Sequence, residues 1–324
     1  MLHRRLYALA LSLVAAIVIA ASAQAQTFPS KNITLVVPNT AGGSSDIIAR
    51  MVGAKLQTAL GRPVVVENKP GASEMIAAEY LAHTAPDGHT IAIFSNALAI
   101  NETLSSTRRY ETVRDFTPVA KLATLPFAIM VRTRLGTKSL PEFVKLAQAK
   151  PGGLSYGHVG VGAPHYLTME WFKRAAGINI IPVPYKSSPP LLGGLLGGEI
   201  DVTVGALGAA TQLIQAGKLE ALAAMSSKRP TLLPALPTVA EFGYPEFDLV
   251  PWMGIFVRSG TQADILQRLE TELLNAVTSD DVKVQLNNVG LEASPRASKE
   301  FAALLTHDIG AWADVIKTVG AKTD

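Results

Sequence analysis

The chain has 324 residues, 48% hydrophobic and 17% charged, with a formal net charge of +3 and no cysteine. That balance excludes a disordered chain, and the missing thiols exclude disulfides, thiolate catalysis, Cys-based zinc sites and a lipoprotein anchor. Arg4 and Arg5 carry two of the three net charges, and the other Lys and Arg are scattered, so no basic face points to a nucleic-acid partner.

Residues 1–25 read as a secretory signal peptide: a basic start, an apolar run from Ala8 to Ala20, then Ala21-Ser22-Ala23-Gln24-Ala25 with an A-x-A cleavage site. Leu6 to Ala23 approaches the length of a membrane anchor, but it is Ala-rich and ends in small residues, which favours cleavage. The mature chain is then expected to begin at Gln26 and to be exported. No later apolar run reaches about 18 residues.

From Ile33 the pattern alternates strand and helix. Ile33 to Val37 and Val64 to Glu67 read as buried strands, and between them Ile47, Ile48, Met51, Val52, Leu56 and Leu60 recur at helical spacing until Gly61. A helix over Ser73 to His83 and a strand over Thr90 to Phe94 follow, giving βαβαβ and predicting a parallel sheet. The middle block repeats the grammar: helix 141–149 capped by Ser139, strand 154–156, helix 165–176, strand 178–183, a short helix 190–196, strand 200–204, helix 210–216 and strand 219–225. The tail adds a strand at 252–257 and helices at 262–277 and 301–319. Thr117 to Val131 and Phe247 to Val257 read as extended segments that carry the chain out to a second α/β unit and back, which predicts a hinge.

Two strand-to-helix junctions stand out. "VVPNTAGGSSDIIARM" (36–51) passes from a strand through Gly42 and Gly43 into a helix, at the sheet edge where open α/β folds bind ligands. The glycines permit positive φ and leave no side chains over the backbone. Unpaired N–H groups and the helix dipole suit an anion. With no Lys or Arg between Asn39 and Asp46, the donors are amides and the Ser44 and Ser45 hydroxyls, which suits a carboxylate better than a polyphosphate. Three or four charge-assisted bonds of about 1.5–3 kcal/mol each, less the cost of association, reach the micromolar range. Asp46 would repel an anion, so it is expected to point away or to bind a donor on the ligand. An ordinary Gly/Ser turn explains this stretch equally well on its own. The second junction, "SYGHVGVGAPHY" (155–166), shifts the balance, because it again leads a strand through Gly157, Gly160 and Gly162 into a helix opened by Pro164. Two such loops, one per unit, can grip the two ends of a small dianion.

Sharper chemistry finds no support. The glycine spacing is not G-x-G-x-x-G, His158 and His165 lack an H-E-x-x-H frame, and Ser155 with His158 lacks a G-x-S-x-G elbow, so neither cofactor nor metal nor catalytic residue is expected.

The strings "ITLVVPNTAGGSSDIIAR" (33–50), "GRPVVVENKPGAS" (61–73), "APDGHTIAI" (85–93), "RDFTPVAKLA" (114–123), "VPYKS" (183–187), "LLGGEID" (195–201), "GKLEALAAMSSKRPTLLPALPTVAEFGYPEF" (217–247) and "PWMGIFV" (251–257) together resemble the Bug receptors, the periplasmic solute-binding proteins of tripartite tricarboxylate transporters. The resemblance implies an α/β, two-domain type II periplasmic binding protein fold, each domain a mostly parallel sheet flanked by helices, with a hinged interdomain cleft. Domain 1 is expected over 26–125 and 250–324, and domain 2 over 126–249. It further implies a non-enzymatic, monomeric periplasmic receptor that passes a small carboxylate to membrane permease subunits. The carboxylate would be held by Ala41, Gly42, Gly43, Ser44, Ser45 and Asp46 and by Gly160, Val161, Gly162 and His165. The chain departs from the family's usual pattern at Asn39, Thr40, His158 and Gly205. The last stands where Asp is frequent, which favours a di- or tricarboxylate or an aromatic acid over an amino acid. An exported hydrolase of small esters and a ligand sensor uncoupled from transport are the alternatives.

Overall fold

The computed structural model describes residues 28–321; the signal peptide read in residues 1–25 and the expected start at Gln26 lie outside the described residues. The strands are β1 Ile33–Val37, β2 Val64–Asn68, β3 Thr90–Ser95, β4 Phe116–Thr124, β5 Phe127–Arg132, β6 Ser155–His158, β7 Ile181–Pro184, β8 Val202–Ala206, β9 Leu219–Ala224, β10 Trp252–Arg258 and β11 Glu292–Ala297. The helices are α1 Ser44–Leu60, α2 Met75–Ala82, α3 Ala97–Leu104, α4 Thr112–Asp115, α5 Leu140–Ala149, α6 Pro164–Ala176, α7 Ser188–Gly197, α8 Leu207–Gln215, α9 Ala263–Thr278, α10 Asp280–Asn288 and α11 Ser298–Val319.

Two sheets form, a six-stranded one in the order β11-β4-β10-β3-β1-β2 and a five-stranded one in the order β7-β6-β8-β5-β9. Both are mixed. β1 pairs in parallel with β2 and β3, as the βαβαβ pattern predicts, but β10 runs antiparallel to both β3 and β4. In the second sheet β6 is parallel to β7 and β8, while β5 is antiparallel to β8 and β9.

Side-chain alternation explains why both faces of the first sheet are covered. Ile33, Leu35 and Val37 enter one core with Ile48, Val52 and Leu56 of α1 and Leu269 and Leu273 of α9. Val36, one residue out of step, enters the opposite core with Leu81 of α2 and Phe301 and Trp312 of α11. β5 divides the second sheet likewise, with Ile129 and Val131 on one side and Ala128 and Met130 on the other.

The segment Thr117 to Val131, read as one extended run, is two strands in two different sheets, joined only by Leu125 and Pro126. The return segment meets it there, because the Leu125 N–H donates to the Pro251 carbonyl at 2.8 Å. These two crossings tie the sheets together.

Candidate functional site

The first junction lies at the carboxyl end of β1. Gly42 has φ +84°, the left-handed region that the turn requires, whereas Gly43 has an ordinary φ of −73° and caps α1 through its carbonyl, which accepts from Ile47 N–H at 3.0 Å. Positive φ is therefore needed at one of the two glycines. At Gly43 a Cβ would lie 3.3 Å from the Thr40 carbonyl, so crowding is what restricts that position.

Asp46 is 3% exposed and turned into the protein. Its carboxylate accepts the Gly42 N–H at 2.9 Å, Arg50 Nε and Nη2 at 2.9 and 3.0 Å, and Asn68 Nδ2 at 2.9 Å. Led by the Arg50 bond, these donors hold its pKa down to about 2. Asp46 thus shapes the loop, and its oxygens are already taken by protein donors. The Gly42 amide is committed with it, and Ser45 Oγ is buried against Met253 Sδ at 3.8 Å. Ser44 and Ser45 supply the first helical N–H groups, which have no carbonyl one turn behind them. Asn39 and Ala41 are exposed, and the Asn39 carbonyl accepts from Asn68 Nδ2 at 2.9 Å.

The second junction follows β6. Gly160 has φ +130° and gives its N–H to His158 Nδ1 at 3.2 Å, while Ala163 N–H donates back to the Gly160 carbonyl. The amides of Val161, Gly162 and His165, around the start of α6, have no acceptor among the described residues, and Val161 is exposed. His158 is 5% exposed, its ring lies 4.9 Å from that of Tyr166, and burial lowers its pKa. The His165 ring sits 4.6 Å from Phe127, its Nδ1 has no partner, and burial pushes its pKa down to about 4, so it is neutral at pH 7. Gly205 of β8 joins it: a Cβ there would meet Met130 at 3.3 Å and His165 at 3.9 Å.

Each junction is thus assembled within its own sheet, and among the described residues no hydrogen bond joins Asn39–Asp46 to the 158–165 loop. Ser155 and His158 fall on opposite faces of β6. Ser155 N–H and Oγ both donate to Asp201, at 2.9 and 3.4 Å, so no nucleophile and base meet there.

Sequence reading missed a segment at the same carboxyl edge of the first sheet as the first loop, beside the end of β3. Ala72, Ser73 and Glu74 have φ of 47°, 50° and 76°, three consecutive non-glycine residues in the left-handed region, where helix had been expected from Ser73. Glu74 is buried and accepts Ser95 N–H and Oγ at 3.0 and 2.7 Å, at the carboxyl end of β3. Desolvation pushes its pKa up to about 7. Asn101 Nδ2 donates to the Ser73 carbonyl at 2.7 Å, and the neighbouring Asn96 is buried with an unpartnered Nδ2. Apart from the "PG" turn before it, this segment carries no local signal of its conformation.

Residues 48–321 match the family described as the tripartite tricarboxylate transporter family receptor. BugT of Bordetella pertussis is 33% identical over 306 residues, covering 94% of each chain. A Rhodopseudomonas palustris protein solved with adipate superposes with a TM-score of 0.79 at 33% identity, over 91% of this chain and 99% of that one. The Rhodopseudomonas palustris protein MatC with bound malate gives 0.75 at 31% identity, over 89% and 100%.

Proposed function

We propose, since the chain belongs to the tripartite tricarboxylate transporter receptor family, that it is a periplasmic receptor for a small dicarboxylate. The observation that carries this reading is the pair of strand-to-helix loops, each with free amides and neither with a free cation. One carboxylate would lie at the start of α1 on the Ser44 and Ser45 amides, and the other at the start of α6 on Val161, Gly162 and His165. Adipate and malate, the acids on the two related structures, are the chemistry these loops suit.

Gly205 sets no carboxylate beside Met130 and His165, so the position supplies no negative charge to pair with a ligand ammonium and an acid without an amine is favoured. Residues 26–125 with 250–324 form one lobe in this reading and residues 126–249 the other. Closure over the ligand brings the half-sites together, after export through the leader at 1–25, and the loaded monomer then delivers its cargo to permease subunits. No reaction is assigned to it.

Calorimetric and thermal-shift titration of residues 26–324 with adipate and malate tests the reading. Ligand at 100 times Kd adds about 2.7 kcal/mol of stability, and Gly43→Val, which crowds the loop, is expected to weaken binding at least tenfold. Unchanged melting with both acids, in protein shown by mass spectrometry to carry no acid of its own, would overturn it.

A further inference from the structure

A cavity of about 770 Å³ lies away from both loops and is lined by none of their residues. It sits where the chain crosses between the sheets, at the β4–β11 end of the first sheet, and its volume is that of a small-molecule site. β11 forms that edge of the sheet, with β10 and β3 intervening before β1 and its loop.

The cavity holds an unusual charge arrangement. Lys121 on β4 and Arg296 on β11 are direct cross-strand partners, and both line it. Like charges so placed repel one another. Lys121 is only 4% exposed, and desolvation, reinforced by Arg296, brings its pKa down to about 8. Among the described residues neither cation has an ion-pair or side-chain hydrogen-bond partner, and the nearby acids are engaged elsewhere. Asp308 accepts Trp252 Nε1–H at 2.7 Å and lies 3.1 Å from His307 Nδ1, and Asp248 accepts the Ser227 N–H at 2.9 Å. Glu292, which accepts the Leu232 N–H at 3.1 Å, and the solvent-exposed Glu246 and Asp314 also line the cavity. A buried ammonium beside a guanidinium, with no anion bonded to either, is a cost the fold carries unless something negative arrives. The rest of the lining is mixed: Trp171, Leu249 and Leu304 give it an apolar portion, and Lys228 and Arg229 add two further cations.

We propose that this cavity is a second binding site, for a small carboxylate with an apolar body: Lys121 and Arg296 hold the carboxylate while Trp171, Leu249 and Leu304 receive the body. The site is independent of the two loops. Since the cavity is walled by strands of the first sheet, by Trp171 of α6 and the loop after β9, and by the crossings between the sheets, its occupant touches both units.

Equilibrium dialysis of residues 26–324 with benzoate, an aromatic monocarboxylate, tests the proposal on wild type, Lys121→Met, Arg296→Gln and Gly43→Val. Saturable binding is expected, weakened at least tenfold by Lys121→Met and by Arg296→Gln, with one equivalent surviving in Gly43→Val. Lys121→Met removes a buried charge and is expected to melt no lower than wild type. Should it fail to fold, the exposed Arg296→Gln carries the test. Absence of saturable benzoate binding, binding indifferent to the cation variants, or binding abolished by Gly43→Val would each overturn the second site. Adipate titration of the same variants reports on the loops separately.

Discussion

Asp46 and Glu74, both at the carboxyl edge of the first sheet, follow opposite electrostatic logic. Asp46 is stabilised as a carboxylate by four donors, so its contribution is fully present above its unfolded pKa near 3.8 and is lost as pH falls toward about 2. Asp46→Asn is expected to cost about 1–2 kcal/mol at pH 7, at the low end because Arg50 is half exposed, and to flatten the acid limb of stability between pH 4 and 2. Chemical denaturation across that range measures both. Glu74 behaves in reverse. Its folded pKa of about 7 lies above the unfolded value of 4.5, so its contribution is complete below pH 4.5 and is lost as pH rises through 7. Glu74→Gln keeps an acceptor for Ser95 and should equal wild type near pH 4.5 yet exceed it by on the order of 1–3 kcal/mol at pH 8. A melting temperature that falls as steeply with pH in the variant as in wild type would place the titration elsewhere.

Elements with one clear period were legible in the sequence, and those without were not. Ile33–Val37 emerged as a short apolar run and α1 through its 3.6-residue spacing, and α5 because Ser139 precedes Pro141 and Glu142. The structure places Ser139 Oγ on Glu142 N–H at 3.4 Å and Glu142 on Lys138 N–H at 2.8 Å, a reciprocal cap. Ser139→Ala should therefore cost about 1 kcal/mol in thermal unfolding. Missed were α3, which follows the apolar run of β3 after Ser95 and Asn96 alone, the helices α4 and α10, and β11, where Ser294, Pro295 and Arg296 do not look like a strand. An edge position tolerates Pro295 because one side of β11 has no partner. At the site, glycines and chain order located both loops, but which amides remain free depends on Asp46, Arg50 and Asn68 meeting across 22 residues, and a local pattern does not contain that. Only the Asp46–Arg50 spacing of four hinted at it.

At the scale of the whole molecule, the approach of the two sheet units to each other turns on a contact of bare backbone. Gly208, in the first turn of α8 beside the second sheet, packs on Gly290, the turn that leads into β11 of the first. A Cβ on Gly208 would lie 1.9 Å from Gly290 Cα. Side chains cannot yield there, since both surfaces are main chain, so the units themselves must separate. Within α8 alanine is the better helix former by about 1 kcal/mol, which leaves each unit's own fold intact. Gly208→Ala is thus expected to keep the far-ultraviolet circular dichroism of wild type while its small-angle scattering, with or without saturating adipate, departs from the profile of the arrangement described above. If the present arrangement is the one that grips the ligand, adipate affinity falls with it, because a half-site on each unit gains nothing from the other when the closed state is sterically barred. Wild-type scattering and wild-type affinity in the variant would show that the units meet differently in solution and that the Gly208–Gly290 contact does not govern closure.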